Sequence, residues 1–237
     1  MDKPVKKVEN PSFRAPSTPL WRARPGTLGI FAKEPQPGRV KTRLSPPLTL
    51  AEAAQVHHLS LQQTVTTLAP LQPVIFYSGD SAYFQKNFPG IPLLPQNEGD
   101  LGARMTQAFR ALHTRGGECA LLVGSDAPDL PLQLIIDAYA ALASAAVVTI
   151  PAADGGYVLI GERGHHPPLF CGVAWSTSAV LEQTRAICVA QQLPYAEIGN
   201  WEDVDDAGAL LRLTKRAPTL AVSIYAAGIL RSYGVIG

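Results

Sequence analysis

Charge is scarce in this sequence. Asp, Glu, Lys and Arg make up 16% of its 237 residues and nearly cancel, leaving a net charge of +1. That excludes a broad basic field for drawing in nucleic acid, and an acidic solvating tail, so any charge that matters acts locally. Cysteine is scarce as well. Cys119, Cys171 and Cys188 are widely spaced, with no C-x-x-C pair and no even-numbered set. This excludes a disulfide framework and fits buried thiols in a reducing, cytoplasmic compartment. Apolar runs are short. "TLAVSIYAAGIL" (Thr219–Leu230) is too brief for a membrane span and is followed by Arg231, which suits a packed terminal helix or a subunit contact. The first 25 residues carry Lys, Arg and five prolines but no apolar centre of a secretory signal, and are expected to be a disordered extension.

What is present is apolar residue in bulk, 46% of the chain, enough for one domain with a full core plus tails. The order of segments is informative. "TLGIFA" (Thr27–Ala32), "PVIFYS" (Pro73–Ser78), "CALLVGSD" (Cys119–Asp126) and "AAVVTIPA" (Ala145–Ala152) are continuous apolar runs of strand length. "DGGYVLIG" (Asp154–Gly161) reads as a loop and a further strand, and Pro194–Ile198 as a short one. Helices are expected over Leu48–Ala69, Ser81–Phe88, Asp100–Gly116, Leu132–Ser144 and Ser176–Gln191. Thr49 and Glu52 have capping-box spacing, and Ser176 or Thr177 is the expected cap of the last helix. Strands that are apolar throughout and alternate with helices predict an α/β domain with a mostly parallel sheet covered on both faces. Ligands of such sheets sit at the carboxyl ends of the strands, where Lys33, Asp126 and Asp154 all fall.

The loop after the first strand, "KEPQPGRVKTRLSP", lacks the glycine that a Walker A loop needs before its lysine; Val40 stands there. It still carries Lys33, Lys41 and Arg43, with Gly38 permitting positive φ or close backbone approach. Lysine as a point charge and arginine as a fork both suit phosphate oxygens. A carboxylate at the end of a buried strand, Asp126, needs a partner. Mg²⁺ held partly by substrate phosphates is a natural one, a turn or cap role the plain alternative, and Asp129 fits the latter better. In "WEDVDDAGALL", Asp203 and Asp205 face the same way if the segment is extended, so one can reach a metal held by Asp126; as helix-start acids they could equally be caps. After Asp154, Gly155 and Gly156 allow a tight turn or close ligand approach, and Tyr157 could stack on a ligand or pack. His57 and His58 read as surface or packing residues. His113 lies near a helix end, and His165 and His166 sit in a loop; no Cys/His spacing supports zinc.

Six motifs, "IFAKEPQPGRVKTRLSPPL", "QNEGDLGARM", "GSDAPDLP", "PAADGGYVLIG", "PPLFCGVAWST" and "DVDDAGAL", occur in that order between about Gly26 and Arg216. Together they resemble a bacterial family of GT-A-fold, nucleotide-diphospho-sugar-transferase-like proteins. The family is commonly labelled glycosyltransferases and includes members associated with radical-SAM/selenodomain proteins. Phospholactate and molybdenum-cofactor guanylyltransferases are more distantly similar. The resemblance implies a three-layer α/β sandwich over 26–216, flanked by the extension 1–25 and an apolar tail 217–237. It implies Lys33, Gly38, Lys41 and Arg43 on the donor phosphates, with Lys41, Arg43 and Asp126 catalytic. Leu101, Gly102 and Arg104 would lie by the nucleobase, and Asp154, Gly155, Gly156 and Tyr157 would shape the acceptor or sugar pocket. Asp126, Asp205 and Asp203 would hold Mg²⁺ or Mn²⁺. The family's last motif usually reads D-V-D-T-x-x-D-L; here Asp206 replaces Thr and Ala209 the final acid. The partners implied are a nucleotide sugar or NTP donor and a small-molecule acceptor. A homo-oligomer is compatible with the sequence. Glycosyl transfer, nucleotidyl transfer with pyrophosphate release, and nucleotide binding without catalysis all fit these residues, and the family label puts glycosyl transfer slightly ahead.

Overall fold

A computed structural model describes residues 26–236. Seven strands form one sheet: β1 (Thr27–Lys33), β2 (Val74–Ser78), β3 (Leu93–Pro95), β4 (Cys119–Gly124), β5 (Val147–Pro151), β6 (Tyr157–Arg163) and β7 (Tyr195–Glu197). Their spatial order is β3-β2-β1-β4-β6-β5-β7. β6 alone runs antiparallel, against β4 on one side and β5 on the other. The sheet is thus mostly parallel, as the apolar runs predict. β1 and β4 lie side by side at its centre, with Ile30 opposite Val123.

The described residues also form seven α-helices: α1 (Leu50–Leu68), α2 (Ser81–Asn87), α3 (Leu101–Thr114), α4 (Leu132–Ala141), α5 (Val180–Ala190), α6 (Ala207–Arg216) and α7 (Ala221–Ser232). One face of the sheet packs on Leu61, Val65 and Leu68 of α1, Phe84 of α2 and Ile135 and Ala138 of α4. The other packs on Met105, Phe109 and Leu112 of α3 and Cys188 of α5. The result is the three-layer sandwich that the resemblance implies. A third apolar cluster joins Ala53 and Val56 of α1 to Leu210 and Leu213 of α6 and to Val222, Ala226 and Leu230 of α7. The apolar run near the C-terminus is therefore a helix packed on α1 and α6. Residues 1–25, expected to be an extension, lie outside the described residues.

Local chemistry explains the boundaries. The Thr49 hydroxyl accepts from the Glu52 amide at 3.2 Å, and Glu52 Oε2 accepts from the Thr49 amide at 2.8 Å, a reciprocal cap that starts α1 where its sequence says. α5 differs from expectation: it begins at Val180, not Ser176. Ser176 is left-handed at φ 64°, and the Thr177 hydroxyl donates to the Ala174 carbonyl, so both are spent on a turn before the helix. α4 ends at Ala141, short of Ser144, in a succession of tight turns. Strand β3 was not anticipated; three residues that follow Pro92 and end in Pro95 give no periodicity to read. Cys188 is buried as expected, but Cys119 is half-buried and Cys171 exposed, and all three are free. Among the described residues no helix is long and apolar enough to cross a membrane.

Candidate active site

A cleft of about 350 Å³ opens at the carboxyl ends of β1 and β4. Its wall is the loop after β1. The Lys33 ammonium donates to the Arg39 carbonyl at 2.8 Å, folding the loop back on its strand. Gly38 makes the reversal at φ 76°. Lys41 follows in the left-handed region (φ 47°, ψ 37°), which costs an L-residue about 1 kcal/mol, just before a 3₁₀ turn at Thr42–Leu44. That reversal directs the Lys41 side chain inward, where it is only 4% exposed.

Nζ of Lys41 lies 2.8 Å from Asp126 Oδ1 and 2.8 Å from Asp205 Oδ1. One ammonium thus bridges the end of β4 and the segment before α6. The strap is reinforced by the Val204 amide, which donates to the Asp126 carbonyl at 2.8 Å. Burial pulls the Lys41 ammonium down, but the attraction of Asp126 and Asp205 and the hydrogen bonds to both outweigh it, and its pKa ends above the ordinary value. Burial would likewise raise the Asp126 carboxyl, yet the Lys41 charge and the contact with His57 hold it well below the usual carboxylate range. Oδ1 of Asp126 is buried while the side chain as a whole is 42% exposed, so its second oxygen is the one open to the cleft.

Three carboxylates, Asp154, Asp203 and Asp205, bring ligand oxygens within 4.8 Å of one another. Burial first, then repulsion from Asp205 and Asp154, pushes the Asp203 carboxyl up to about 6. A set of hard oxygen donors that resists ionising together fits a Mg²⁺- or Mn²⁺-sized cation. Asp126, expected in this set, is not one of the three and shares Lys41 with Asp205 instead; Asp154 takes the third place.

Arg43, Leu101 and Arg104 also line the cleft. Arg104 Nη1 donates to Gln96 Oε1 at 3.0 Å, and Gln96 is itself anchored to the Ala32 and Phe76 carbonyls. Gly102 does not line it. A β-carbon there would meet the Phe170 carbonyl at 2.3 Å and Trp175 Nε1 at 2.8 Å, so its bareness lets α3 seat against that loop. Gly155, at φ 88°, is pressed against the Ser178 backbone in the same way. The Gly156 amide donates to Asp154 Oδ1 at 2.8 Å, shaping the turn. Tyr157 packs in the core of the second face, and burial pushes its phenol well above the ordinary value.

Sequence reasoning missed several lining residues. His57 is 4% exposed. Its Nε2 donates to the Lys33 carbonyl at 2.9 Å, and Nδ1 lies 3.5 Å from Asp126 Oδ1. A signal existed: His57 sits in the same stripe as Ala53 and Leu61, one turn from each. Arg39, Thr42, Gln96 and Ser125 carried no such pattern. Asp129 is turned away and paired with Arg216, as a turn residue would be. Asp206 caps α6 by accepting from the Ala209 amide at 2.7 Å. Residues 206 and 209 thus occupy the two capping-box positions, and the loss of an acid at 209 removes only a reciprocal cap.

Residues 61–177 match the family model described as an uncharacterized protein conserved in bacteria (DUF2064). That span includes Arg104, Asp126 and Asp154 but not the cationic loop or Asp203 and Asp205. No curated protein matches the chain. A crystal structure from Desulfovibrio desulfuricans G20, provisionally named a nucleotide-diphospho-sugar transferase, is 29% identical with a TM-score of 0.79, over 87% of this chain and 97% of that one. A cytidylyltransferase from Leptospira borgpetersenii is similar in fold, with a TM-score of 0.52 at 10% identity over 88% and 94% of the two chains. So is a nucleotidyl transferase from Methanothermobacter, with a TM-score of 0.53 at 12% identity over 81% and 97%. Residues 61–177 thus match the DUF2064 model, and the α/β sandwich as a whole is similar in fold to these solved structures.

Proposed function

We propose that this chain is a metal-dependent transferase acting on a nucleotide-activated donor, and that the group it moves is a sugar from a nucleotide-diphospho-sugar to a small acceptor. The observation that carries the reading is the bridge of Lys41 between Asp126 and Asp205, in a cleft also lined by Lys33, Arg39, Arg43 and Arg104. Cations on one wall and carboxylates on the floor complement a polyphosphate and the divalent ion that accompanies it. The donor's phosphates lie against Arg43 and Arg104, and the third N–H of Lys41 is directed to them. Asp205, Asp203 and Asp154 would hold Mg²⁺ or Mn²⁺, which would stabilise negative charge on a leaving diphosphate. Leu101 offers an apolar edge to the base, and the turn at Asp154–Gly156 borders the acceptor. An acceptor nucleophile bonds to the sugar's anomeric carbon as the bond from that carbon to the diphosphate breaks. The 29%-identical relative supports the choice of sugar transfer.

A second reading, attack of a phosphorylated acceptor on an NTP with release of pyrophosphate, is favoured by one observation. Asp129 is committed to Arg216 and Trp201, so the "GSDAPD" stretch brings one carboxylate, Asp126, to the cleft rather than two. The cationic loop also suits the charge that grows on a leaving pyrophosphate.

Thermal unfolding with Mg²⁺ or Mn²⁺ and a panel of nucleotide sugars, NDPs and NTPs tests both. A donor at a hundred times its Kd adds about 2.7 kcal/mol. A metal-dependent rise in Tm with one nucleotide sugar and its NDP supports glycosyl transfer. A rise confined to one NTP supports nucleotidyl transfer. No metal-dependent rise with any nucleotide overturns both.

A further inference from the structure

At the opposite end of the sheet from the cleft, Glu162 on β6 is completely buried. It pairs in register with Ala120 on β4, six residues before Asp126, which is roughly 20 Å along the strand at about 3.3 Å per residue. Nothing in the proposed reaction uses it. A buried carboxylate requires partners, and this one has two imidazoles: Oε1 lies 3.2 Å from His113 Nε2, at the end of α3, and 2.8 Å from His165 Nδ1, in the loop after β6. The two rings stand 5.9 Å apart. Ligand atoms of the three side chains all lie within 4.8 Å of one another.

We propose that Glu162, His113 and His165 form a zinc site that clamps the end of α3 and the loop after β6 to the sheet. Three observations support it. First, the other nitrogen of His113, Nδ1, lies 3.0 Å from the Gly117 carbonyl. A carbonyl only accepts, so Nδ1 carries a proton, and Nε2 is the nitrogen left to face Glu162. That nitrogen and Oε1 of Glu162 can share a proton or a metal ion. A ring that gives its far N–H to a backbone carbonyl is the usual posture of a metal-ligating histidine. Second, Glu162 is oriented for a single bond. Its Oε2 accepts from the His166 amide at 3.0 Å, which leaves Oε1 as the ligand. Third, the ligand atoms converge. Zn–N and Zn–O bonds of about 2.0–2.2 Å at tetrahedral angles put ligand atoms about 3.3–3.5 Å apart; the 3.2 Å to His113 is close to that, and the 2.8 Å to His165 has to open by about 0.5 Å to admit the ion. His113 and His165 are 15% and 20% exposed, giving an ion a path in and a water the fourth position. His166 is not a ligand, since its Nε2 faces the Arg163 carbonyl at 3.0 Å. Two nitrogens and one oxygen select zinc over the magnesium and manganese that suit the all-oxygen group in the cleft.

The test uses the full chain, freed of any histidine tag, stripped with chelator and reloaded with Zn²⁺. Because Asp154, Asp203 and Asp205 could also take zinc, the measurement is repeated on Asp203→Asn. One equivalent of zinc is expected to survive gel filtration in both proteins, with affinity at least tenfold weaker in His113→Ala and His165→Ala. Replacing zinc by Co²⁺ in the unmutated chain is expected to give the intense visible absorption of a four-coordinate site. That measurement stands even where a histidine variant fails to fold. Zinc retained undiminished in folded His113→Ala, zinc lost with Asp203→Asn, or only the weak absorption of octahedral Co²⁺ would each overturn the proposal. The site is independent of the proposed reaction: nucleotide binding can fail while this zinc stays, and the reverse.

Discussion

Replacing Lys41 by methionine is the most revealing change available. It keeps the length of the side chain and removes the charge that joins Asp126 to Asp205. Deleting one partner of a fully buried ion pair costs about 3–5 kcal/mol, because the other charge is stranded. Here the ammonium is 4% exposed, but the two carboxylates are 42% and 40% exposed and can recruit water. The expected cost is therefore smaller, about 2–3 kcal/mol. For a chain of this size that lowers Tm by about 4–12 °C in chelator. The same variant leaves Asp126 and Asp205 without a resident cation, so Mg²⁺ or Mn²⁺ is expected to raise its Tm more than it raises that of the unmutated protein. Calorimetric melts with and without metal check both effects. A variant melting within a degree of the parent in chelator, with no larger metal-induced shift, would refute the reasoning that Lys41 stands in for a cation at this site.

Asp126→Asn, nearly isosteric, is expected to lower turnover by at least a hundredfold while Tm stays within a few degrees, read in the assay that the donor panel identifies. Metal affinity at the cleft is expected to rise with pH between about 5 and 7. Asp203, held up to about 6, sheds its proton in that window, and only the carboxylate binds; calorimetric titration at three pH values giving equal affinity would contradict this. In the apo protein the same raised pKa has the opposite sign: the folded state binds the proton more tightly, so stability declines as pH rises from the unfolded value towards about 6. Leu230→Ala, at a fully buried position of α7, is expected to cost about 2–5 kcal/mol. A shift below one degree would show that α7 is not part of the cooperative unit.

The sequence by itself determined a good deal. Continuous apolar runs such as "CALLVG" bury both faces of a strand, and their alternation with helices fixes an α/β sandwich without reference to any contact. Thr49 and Glu52 fix the start of α1, because a cap is a local hydrogen-bond exchange between residues three apart. That Lys33, Lys41, Arg43 and Asp126 would gather at one cleft was legible because a strand end in a parallel sheet is a predictable place. What the tertiary structure alone decided is who meets whom. Lys41 and Asp205 are 164 residues apart, and nothing local says that one ammonium joins Asp205 to Asp126. Asp154, rather than Asp126, completes the three-carboxylate group, because the antiparallel β6 brings the turn before it alongside the segment preceding α6. Gly102 and Tyr157 look like site residues in a motif but are spent on packing, since their neighbours, Phe170, Trp175 and the second-face core, come from elsewhere in the chain. Glu162, His113 and His165 carry no metal-ligand spacing at all. Their convergence follows from the end of α3 lying over the last residues of β6, a juxtaposition that only long-range packing can make.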